Sequence, residues 1–153
     1  MPAAKPIPDG YRSVTPYLIF SGAGEAIAFY KRALGAEEVM RMDGPGGKIG
    51  HAEIKLGDSR IMLADEHPEI QALSPKTIGG SPVSLHLYVE DVDAAVERAV
   101  AAGAKLIRPV ADQFYGDRVG GVEDPFGYRL FIATHKEDLT MDEIRRRAPA
   151  QHS

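Results

Sequence analysis

Short runs of β-branched, aromatic and alternating residues dominate the first half of the chain. They lie at 14–20, 37–42, 49–56 and 60–64. Such runs are typical of β-strands, either fully buried or with one face on the core. After the first run the apolar positions follow helical spacing, which predicts a helix from Ala23 to Leu34. Ser21 is expected to cap this helix and Gly35 to end it.

The same order of elements recurs in the second half. Strands are predicted at 84–89, 105–109, 118–122 and 128–133, and a helix from Val92 to Ala102. Local motifs repeat as well, since Leu34-Gly35-Ala36 returns as Ala102-Gly103-Ala104, at an offset of about 70 residues that other motif pairs share. The chain is therefore predicted to contain two copies of one β-α-β-β-β unit, at 12–67 and 82–135.

The segments outside the two units have distinct compositions. The stretch from Glu66 to Pro82 contains three prolines and Gly79-Gly80, so 68–81 is expected to be a linker. Residues 1–11 form an N-terminal extension rich in proline and alanine. The capping-box sequence that starts at Thr140 predicts a helix within a C-terminal segment, 139–153.

Composition limits the classes of partner. The 153 residues include 18 Lys and Arg against 22 Asp and Glu, a net charge of −4. This balance argues against binding to nucleic acid or an anionic membrane. The absence of cysteine excludes disulfides, thiolate nucleophiles and cysteine-ligated metals. No apolar run approaches the ~20 residues of a membrane span, and the first ten residues lack the apolar core of a signal peptide. We expect a soluble, cytoplasmic protein with neither a nucleic-acid nor a membrane partner.

Strand alternation separates the side chains that pack on the helices from those that face away. In the strand at 84–89, for example, Leu85, Leu87 and Val89 are expected to pack on the helix. The opposite, helix-free face of the two sheets is predicted to carry Thr15, Tyr17, Ile19, His51, Glu53, Lys55, Arg60, Met62, Ala64, Ser84, His86, Tyr88, Arg129, Phe131 and Ala133. This set is rich in His, Tyr and Arg for a solvated surface, so we expect the functional site there.

Several motifs resemble the vicinal oxygen chelate superfamily, which includes glyoxalase I, extradiol dioxygenases and bleomycin resistance proteins. They are the helix sequence 28–35, the opening of the second helix at 89–95, and Asp124-Pro125-Phe126-Gly127-Tyr128-Arg129. The stretches 51–54, 61–66, 79–83 and 133–138 look like the PhnB-like branch. The resemblance covers 12–138 and implies one α+β domain. Its two tandem βαβββ units would form a curved mixed β-sheet cleft with the helices outside.

The resemblance also identifies where a metal would be held. Metal-dependent members place a His in the first strand and a Glu in the fourth strand of each unit, and these positions match Thr15, Met62, Ser84 and Phe131. Hydroxyl, thioether and phenyl groups are poor ligands for a divalent ion. We therefore predict no metal at this position and no cofactor, and we do not expect standard glyoxalase I or dioxygenase activity.

Two functional hypotheses remain. The first is a metal-free protein that binds a small organic molecule, since aromatic walls with a few polar groups suit ligand pockets. Its candidate binding residues are Thr15, Tyr17, Met62, Ser84, Tyr88, Arg129 and Phe131. The alternative is a glyoxalase-like lyase, isomerase or transferase whose catalytic residues are His51, Glu53 and His86. These would act as a shifted acid–base pair or as a two-His-one-carboxylate metal site. A structural role remains open, in which both histidines only hydrogen-bond to Glu53 and the tyrosines.

Three smaller predictions complete the interpretation. The glycine-rich run 43–47 is expected to be a hairpin turn, because neither a helix nor a Lys-Ser/Thr pair follows it. His135 is expected to be a structural or loop residue. A β-α-β-β-β unit leaves strand edges uncovered, so a homodimer is predicted, in which the segment around Ser74-Pro75 and the terminal helix reach across.

Overall fold

Each half of the chain folds into a β-α-β-β-β unit in the computed structural model, which describes residues 3–149. The first unit contains β1 (Tyr17–Phe20), α1 (Ala23–Leu34), β2 (Glu37–Asp43), β3 (Ile49–Leu56) and β4 (Ser59–Asp65), followed by a short helix α2 (Pro75–Ile78). The second contains β5 (Ser84–Tyr88), α3 (Val92–Ala101), β6 (Lys105–Asp112), β7 (Asp117–Glu123), β8 (Arg129–His135) and α4 (Met141–Arg147). The division between the two compact units falls at Ser81 and Pro82.

The four strands of each unit form one mixed sheet. The strand order is β1-β4-β3-β2 in the first unit and β5-β8-β7-β6 in the second. In each sheet the first and fourth strands are parallel and the other pairs are antiparallel. The helix that joins the first two strands is the crossover connection that a parallel pair requires. This arrangement confirms the predicted α+β fold of two repeated units with mixed sheets.

The core of the first unit lies between α1 and one face of its sheet. Ile27, Phe29 and Tyr30 of the helix are at most 1% exposed, and Leu63 of the central strand β4 is fully buried. Burial alternates along β3, where Ala52, Ile54 and Leu56 are buried and the intervening side chains are partly exposed. The predicted alternation therefore holds, and the face opposite α1 is free to form a site.

The start of α1 is stabilised by a residue distant in sequence. The structure places the N-cap at Gly22 rather than at Ser21, and no local side chain caps the helix. Instead, Asp65 at the end of β4 accepts hydrogen bonds from the backbone N–H groups of Gly22 and Ala23, at 3.0 and 2.8 Å. Its other oxygen accepts from the N–H of Ile49 at 2.8 Å. One carboxylate thus joins α1, β3 and β4.

Two adjacent glycines of β7 allow close packing on both faces of the second sheet. A Cβ on Gly120 would lie 2.6 Å from Cγ2 of Val110 and 3.1 Å from Cγ2 of Val96 in α3. A Cβ on Gly121 would lie 2.9 Å from the ring of Phe131. Real Cβ atoms do not approach so closely, so both positions require the small residue.

Several element bounds differ from the sequence prediction. β1 begins at Tyr17, so Thr15 precedes the strand, and the carbonyl of Pro16 accepts a hydrogen bond from Met62 N–H at 2.9 Å. His135 is the last residue of β8 and not a loop residue. The capping of α4 agrees with the prediction, since Thr140 Oγ1 accepts from Glu143 N–H.

The described helices, all between residues 3 and 149, include none that is long and apolar enough to cross a membrane.

Candidate functional site

A pocket of about 570 Å³ opens on the helix-free face of the first unit. Its floor is formed by Tyr17 and Ile19 of β1 and Ala64 of β4. The turn between β2 and β3 and the start of β3 form one wall, which consists of Gly44, Pro45, Gly46, Lys48, Ile49 and Gly50. The end of β4 and the chain that follows it form the other wall, which consists of Asp65, Glu66, His67, Pro68, Glu69, Ile70 and Ala72. The volume lies in the range of ~300–1,000 Å³ typical of small-molecule sites.

The glycine-rich sequence shapes the first wall. Gly44 N–H donates to Lys48 carbonyl oxygen at 2.6 Å and closes the turn between β2 and β3. Gly46 and Gly47 have φ values of 72° and 75°, in the left-handed region that glycine enters without a Cβ penalty. The run is therefore the expected hairpin turn, and it carries Pro45 and Lys48 to the pocket.

The second wall is the segment that was predicted as a linker. His67 and Ala72 exchange two backbone hydrogen bonds of 2.9 and 3.2 Å, which fold the chain back after β4. Glu66 Oε2 then accepts from Ser74 N–H at 2.7 Å. Hydrogen bonds from Thr77 and Ser74 hold the pKa of Glu66 below its usual range. The linker is thus an ordered part of the first unit.

Three side chains on the same face form a continuous hydrogen-bonded chain, here called the Tyr17–His51–Glu53 chain. Tyr17 Oη lies 2.7 Å from His51 Nδ1, and His51 Nε2 lies 2.8 Å from Glu53 Oε2. A carboxylate only accepts, so Nε2 is assigned the proton. In the neutral imidazole, this assignment leaves Nδ1 to accept from the Tyr17 hydroxyl. Burial raises the pKa of Tyr17.

Strand register explains how this chain forms. Met62 of β4 is the Cα partner of both Tyr17 on β1 and Glu53 on β3. Tyr17 and His51 therefore belong to strands separated by β4, roughly 10 Å apart at the usual spacing between strands. The tyrosine ring spans this distance over β4, and its centroid lies 5.4 Å from that of His51.

The second unit contains a different polar cluster, which the sequence analysis missed. Tyr88 Oη donates to Asp117 Oδ2 at 2.6 Å, and the other oxygen of Asp117 lies 2.7 Å from His135 Nδ1. His135 Nε2 lies 2.8 Å from Asp138. These hydrogen bonds raise the pKa of His135 and, with burial, that of Tyr88. Burial would raise the pKa of Asp117, but hydrogen bonds from Tyr88 and His135 outweigh it, and the pKa is lowered.

The remaining predicted site residues are distributed between the two units. The ring centroid of His86 lies 5.1 Å from that of Tyr88. The Cα partner of His86 on β8 is Phe131. Ser84 pairs with Arg129, whose guanidinium lies 3.6 Å from the Glu123 carboxylate. The first unit thus brings Tyr17, His51, Glu53 and Met62 together, and the second groups His86, Tyr88 and Phe131. That both groups line a single cleft stays a prediction.

Both ring nitrogens of His51 take part in hydrogen bonds, one with Tyr17 and the other with Glu53. A metal ligand must offer a free lone pair. Within residues 3–149, no three His, Asp or Glu side chains are grouped so that they could hold one ion.

The pocket walls are the part of the candidate site that the sequence patterns do not indicate. The sequence predicts 68–81 as a linker and the run 43–47 only as a turn. Their contribution depends on where the chain folds back after β4, which local patterns do not encode. The sequence holds no clear signal for this wall, because the 69% exposure of Ile70 is a property of the fold, and single exposed aliphatic residues are common on protein surfaces.

Comparisons with known proteins agree with this architecture. The uncharacterized protein Rv0887c of Mycobacterium tuberculosis is 39% identical over 136 residues, covering 87% of this chain and 80% of the relative. The X-ray structure of an Arabidopsis thaliana gene product superimposes with a TM-score of 0.65 at 29% identity, covering 80% of this chain and 98% of that one. A Bacillus cereus structure described as a putative 3-demethylubiquinone-9 3-methyltransferase, PhnB protein, shares the fold with a TM-score of 0.59 at 22% identity, covering 80% and 99%.

A family model matches residues 17–132, which include β1 to β7 and the first four residues of β8. This match agrees with the resemblance carried by the helix and Asp-Pro motifs. The chain belongs to the Glyoxalase/Bleomycin resistance protein/Dioxygenase superfamily.

Proposed function

We propose that the protein binds a small organic molecule in the pocket on the helix-free face of the first unit. The observation that carries the proposal is the pocket itself, of about 570 Å³, with an aromatic and aliphatic floor and an ordered wall on each side. Pockets of this size and lining are the usual form of small-molecule sites. Binding of this kind does not require the metal ligands that the chain lacks at Thr15 and Met62.

The lining indicates how a ligand would be held. Tyr17, Ile19 and Ala64 offer a surface for a flat or aliphatic group, and Ile70 would cover it from the rim. Lys48 lines the opposite wall and supplies a cation. Burial of the apolar part would supply most of the affinity, at about 25 cal/mol per Å² before the cost of immobilising the ligand.

A thermal-shift screen against small aromatic and carbonyl compounds tests the proposal. A ligand at ~100 times its Kd stabilises the folded state by about 2.7 kcal/mol. For a chain of this size, that raises Tm by roughly 5–10 °C. Failure of every compound to raise Tm, at concentrations up to solubility, would contradict the proposal.

Two isoleucines outside the core provide a matched pair of variants. Ile70 is 69% exposed and lines the pocket, whereas Ile78 in α2 is 65% exposed and does not. Ile70→Asp should abolish the shift given by a hit compound, because it places a charge over the apolar floor. Ile78→Asp should retain it. Equal loss in both variants would mean that the compound binds elsewhere.

The Tyr17–His51–Glu53 chain supports a second candidate function, a glyoxalase-like lyase, isomerase or transferase. The observation in its favour is the 2.8 Å contact that orients the imidazole of His51 through Glu53, as a carboxylate orients a general base. A hit compound that is also turned over should lose turnover, but keep binding, in His51→Gln. Turnover unchanged by that substitution would exclude His51 as the base.

A further inference from the structure

We propose that the Tyr17–His51–Glu53 chain is a proton relay that takes a proton from a weakly acidic hydroxyl group, of the phenol or enol class, on the molecule bound in the pocket. The inference rests on the proposed binding function of that pocket. It adds the chemical class of the ligand and names Tyr17 as the residue that meets it.

The direction of the hydrogen bonds determines what the ligand encounters. Of the three residues in the chain, Tyr17 is the one that lines the pocket. Its hydroxyl proton is directed to His51 Nδ1 at 2.7 Å. The oxygen of Tyr17 therefore presents lone pairs to a ligand and accepts a hydrogen bond. A ligand that carries an O–H group satisfies this acceptor, and an ether at the same position does not.

Glu53 is the group that can stabilise a positive charge on His51. His51 and Glu53 are 26% and 14% exposed. The Cα partners of these two residues on the neighbouring strands are Met42, Met40 and Met62, which are all uncharged. In such a setting an imidazolium is stabilised mainly by the adjacent carboxylate of Glu53. On the same face, Lys55 and Arg60 are Cα partners of each other in the next register position.

The proton transfer needs no reactant other than the ligand and the three side chains. The ligand O–H proton moves to Tyr17 Oη, and the original Tyr17 proton moves to His51 Nδ1. Tyr17 ends as a neutral phenol that donates to the ligand oxyanion. His51 ends as an imidazolium that is paired with the Glu53 carboxylate. Lys48, on the pocket wall, supplies a cation to the side where the ligand becomes negative.

A chromogenic probe makes this transfer visible. The phenolate form of 4-nitrophenol absorbs at longer wavelength than the phenol, so its ionisation on the protein can be read directly. The matched probe 4-nitroanisole has nearly the same shape and lacks the O–H. Binding of both is measured separately by calorimetry, and ionisation of bound 4-nitrophenol is followed by absorbance against pH.

Wild-type protein should bind 4-nitrophenol more tightly than 4-nitroanisole. It should also raise the acid dissociation constant of bound 4-nitrophenol by about tenfold or more, which lowers the pKa of the probe by at least one unit. His51→Gln should still bind the probe but lose this increase, since glutamine takes up no proton. Glu53→Gln should reduce it. Glu97→Gln is the control, because Glu97 is exposed on α3 and does not line the pocket; it should behave as wild type.

Three results would overturn the relay. One is that bound 4-nitrophenol has the same acid dissociation constant on the wild-type protein as on His51→Gln. If His51→Gln does not fold, Tyr17→Phe is used in its place. Another is binding of 4-nitroanisole without binding of 4-nitrophenol. This result would agree with a small-molecule pocket but would exclude phenols and enols as its ligand class. The third is failure of both probes to bind, in which case the thermal-shift screen alone decides the binding function.

Discussion

Removal of the Asp65 carboxylate should destabilise the first unit. Its carboxylate accepts three backbone hydrogen bonds, from Gly22 and Ala23 at the start of α1 and from Ile49 at the start of β3. Asp65→Ala removes all three acceptors and leaves the N–H groups partly buried. It also removes a negative charge from the positive end of the helix.

The magnitude follows from these contacts. Loss of a helix N-cap costs about 1–2 kcal/mol, and loss of a hydrogen bond to a charged group costs about 1.5–3 kcal/mol. Water reaches the half-buried site and offsets part of this, so we expect Asp65→Ala to cost about 3 kcal/mol in free energy of unfolding. Asp65→Asn keeps one oxygen for Gly22 and Ala23 but turns an N–H donor toward Ile49. It should cost about half as much.

Urea unfolding followed by circular dichroism measures these differences, and amide hydrogen exchange locates them at Ala23 and Ile49. Asp58→Ala is the control, because Asp58 lies in the exposed turn between β3 and β4, where it accepts a hydrogen bond from the neighbouring Ser59 hydroxyl. That variant should change stability by less than about 0.5 kcal/mol. An Asp65→Ala variant as stable as Asp58→Ala would refute the role given to Asp65.

Three further predictions concern the second unit and the assembly. Gly121→Ala should destabilise the protein by about 1–3 kcal/mol in urea, because the new methyl group meets the Phe131 ring; an unchanged midpoint would contradict this. Pairing with Asp117 and Asp138 raises the pKa of His135 in the folded protein. This pairing therefore stabilises the fold below the ordinary histidine pKa of about 6.5, and the stabilisation is lost as pH rises through the higher pKa of the folded state. The stability lost in His135→Gln should therefore be larger at pH 6 than at pH 9, and a pH-independent difference would refute it. We also propose a homodimer, for which light scattering should give twice the 16.5 kDa mass of one chain; a 16.5 kDa particle across the micromolar range would exclude it.

Local sequence patterns were sufficient for most of the fold. The alternation at 49–56 predicted β3 with the bounds that the structure has, and the helix stop at Gly35 was found as expected. The N-terminal end of α1 was not predicted correctly, because its cap comes from Asp65, some 40 residues away in the chain. A local capping rule considers only nearby acceptors, so Ser21 was the available choice.

The candidate site was predicted in part for a similar reason. Alternation correctly placed Tyr17, His51 and Glu53 on one face of the sheet. Whether they touch depends on strand order, since β4 lies between β1 and β3. The pocket depends in addition on the backbone hydrogen bonds between His67 and Ala72, which turn an apparent spacer into a wall. Neither fact is contained in the spacing of residues along one strand.

Methyl NMR tests the central claim, that the pocket of the first unit binds a small organic molecule, most directly. Ile19 and Ile70 line the pocket, whereas Ile27 and Ile132 are fully buried elsewhere. On titration with a compound that raises Tm, we expect saturable shifts of the two pocket methyl groups and little change in the two reference methyl groups. Saturable binding that leaves Ile19 and Ile70 unshifted would contradict the claim.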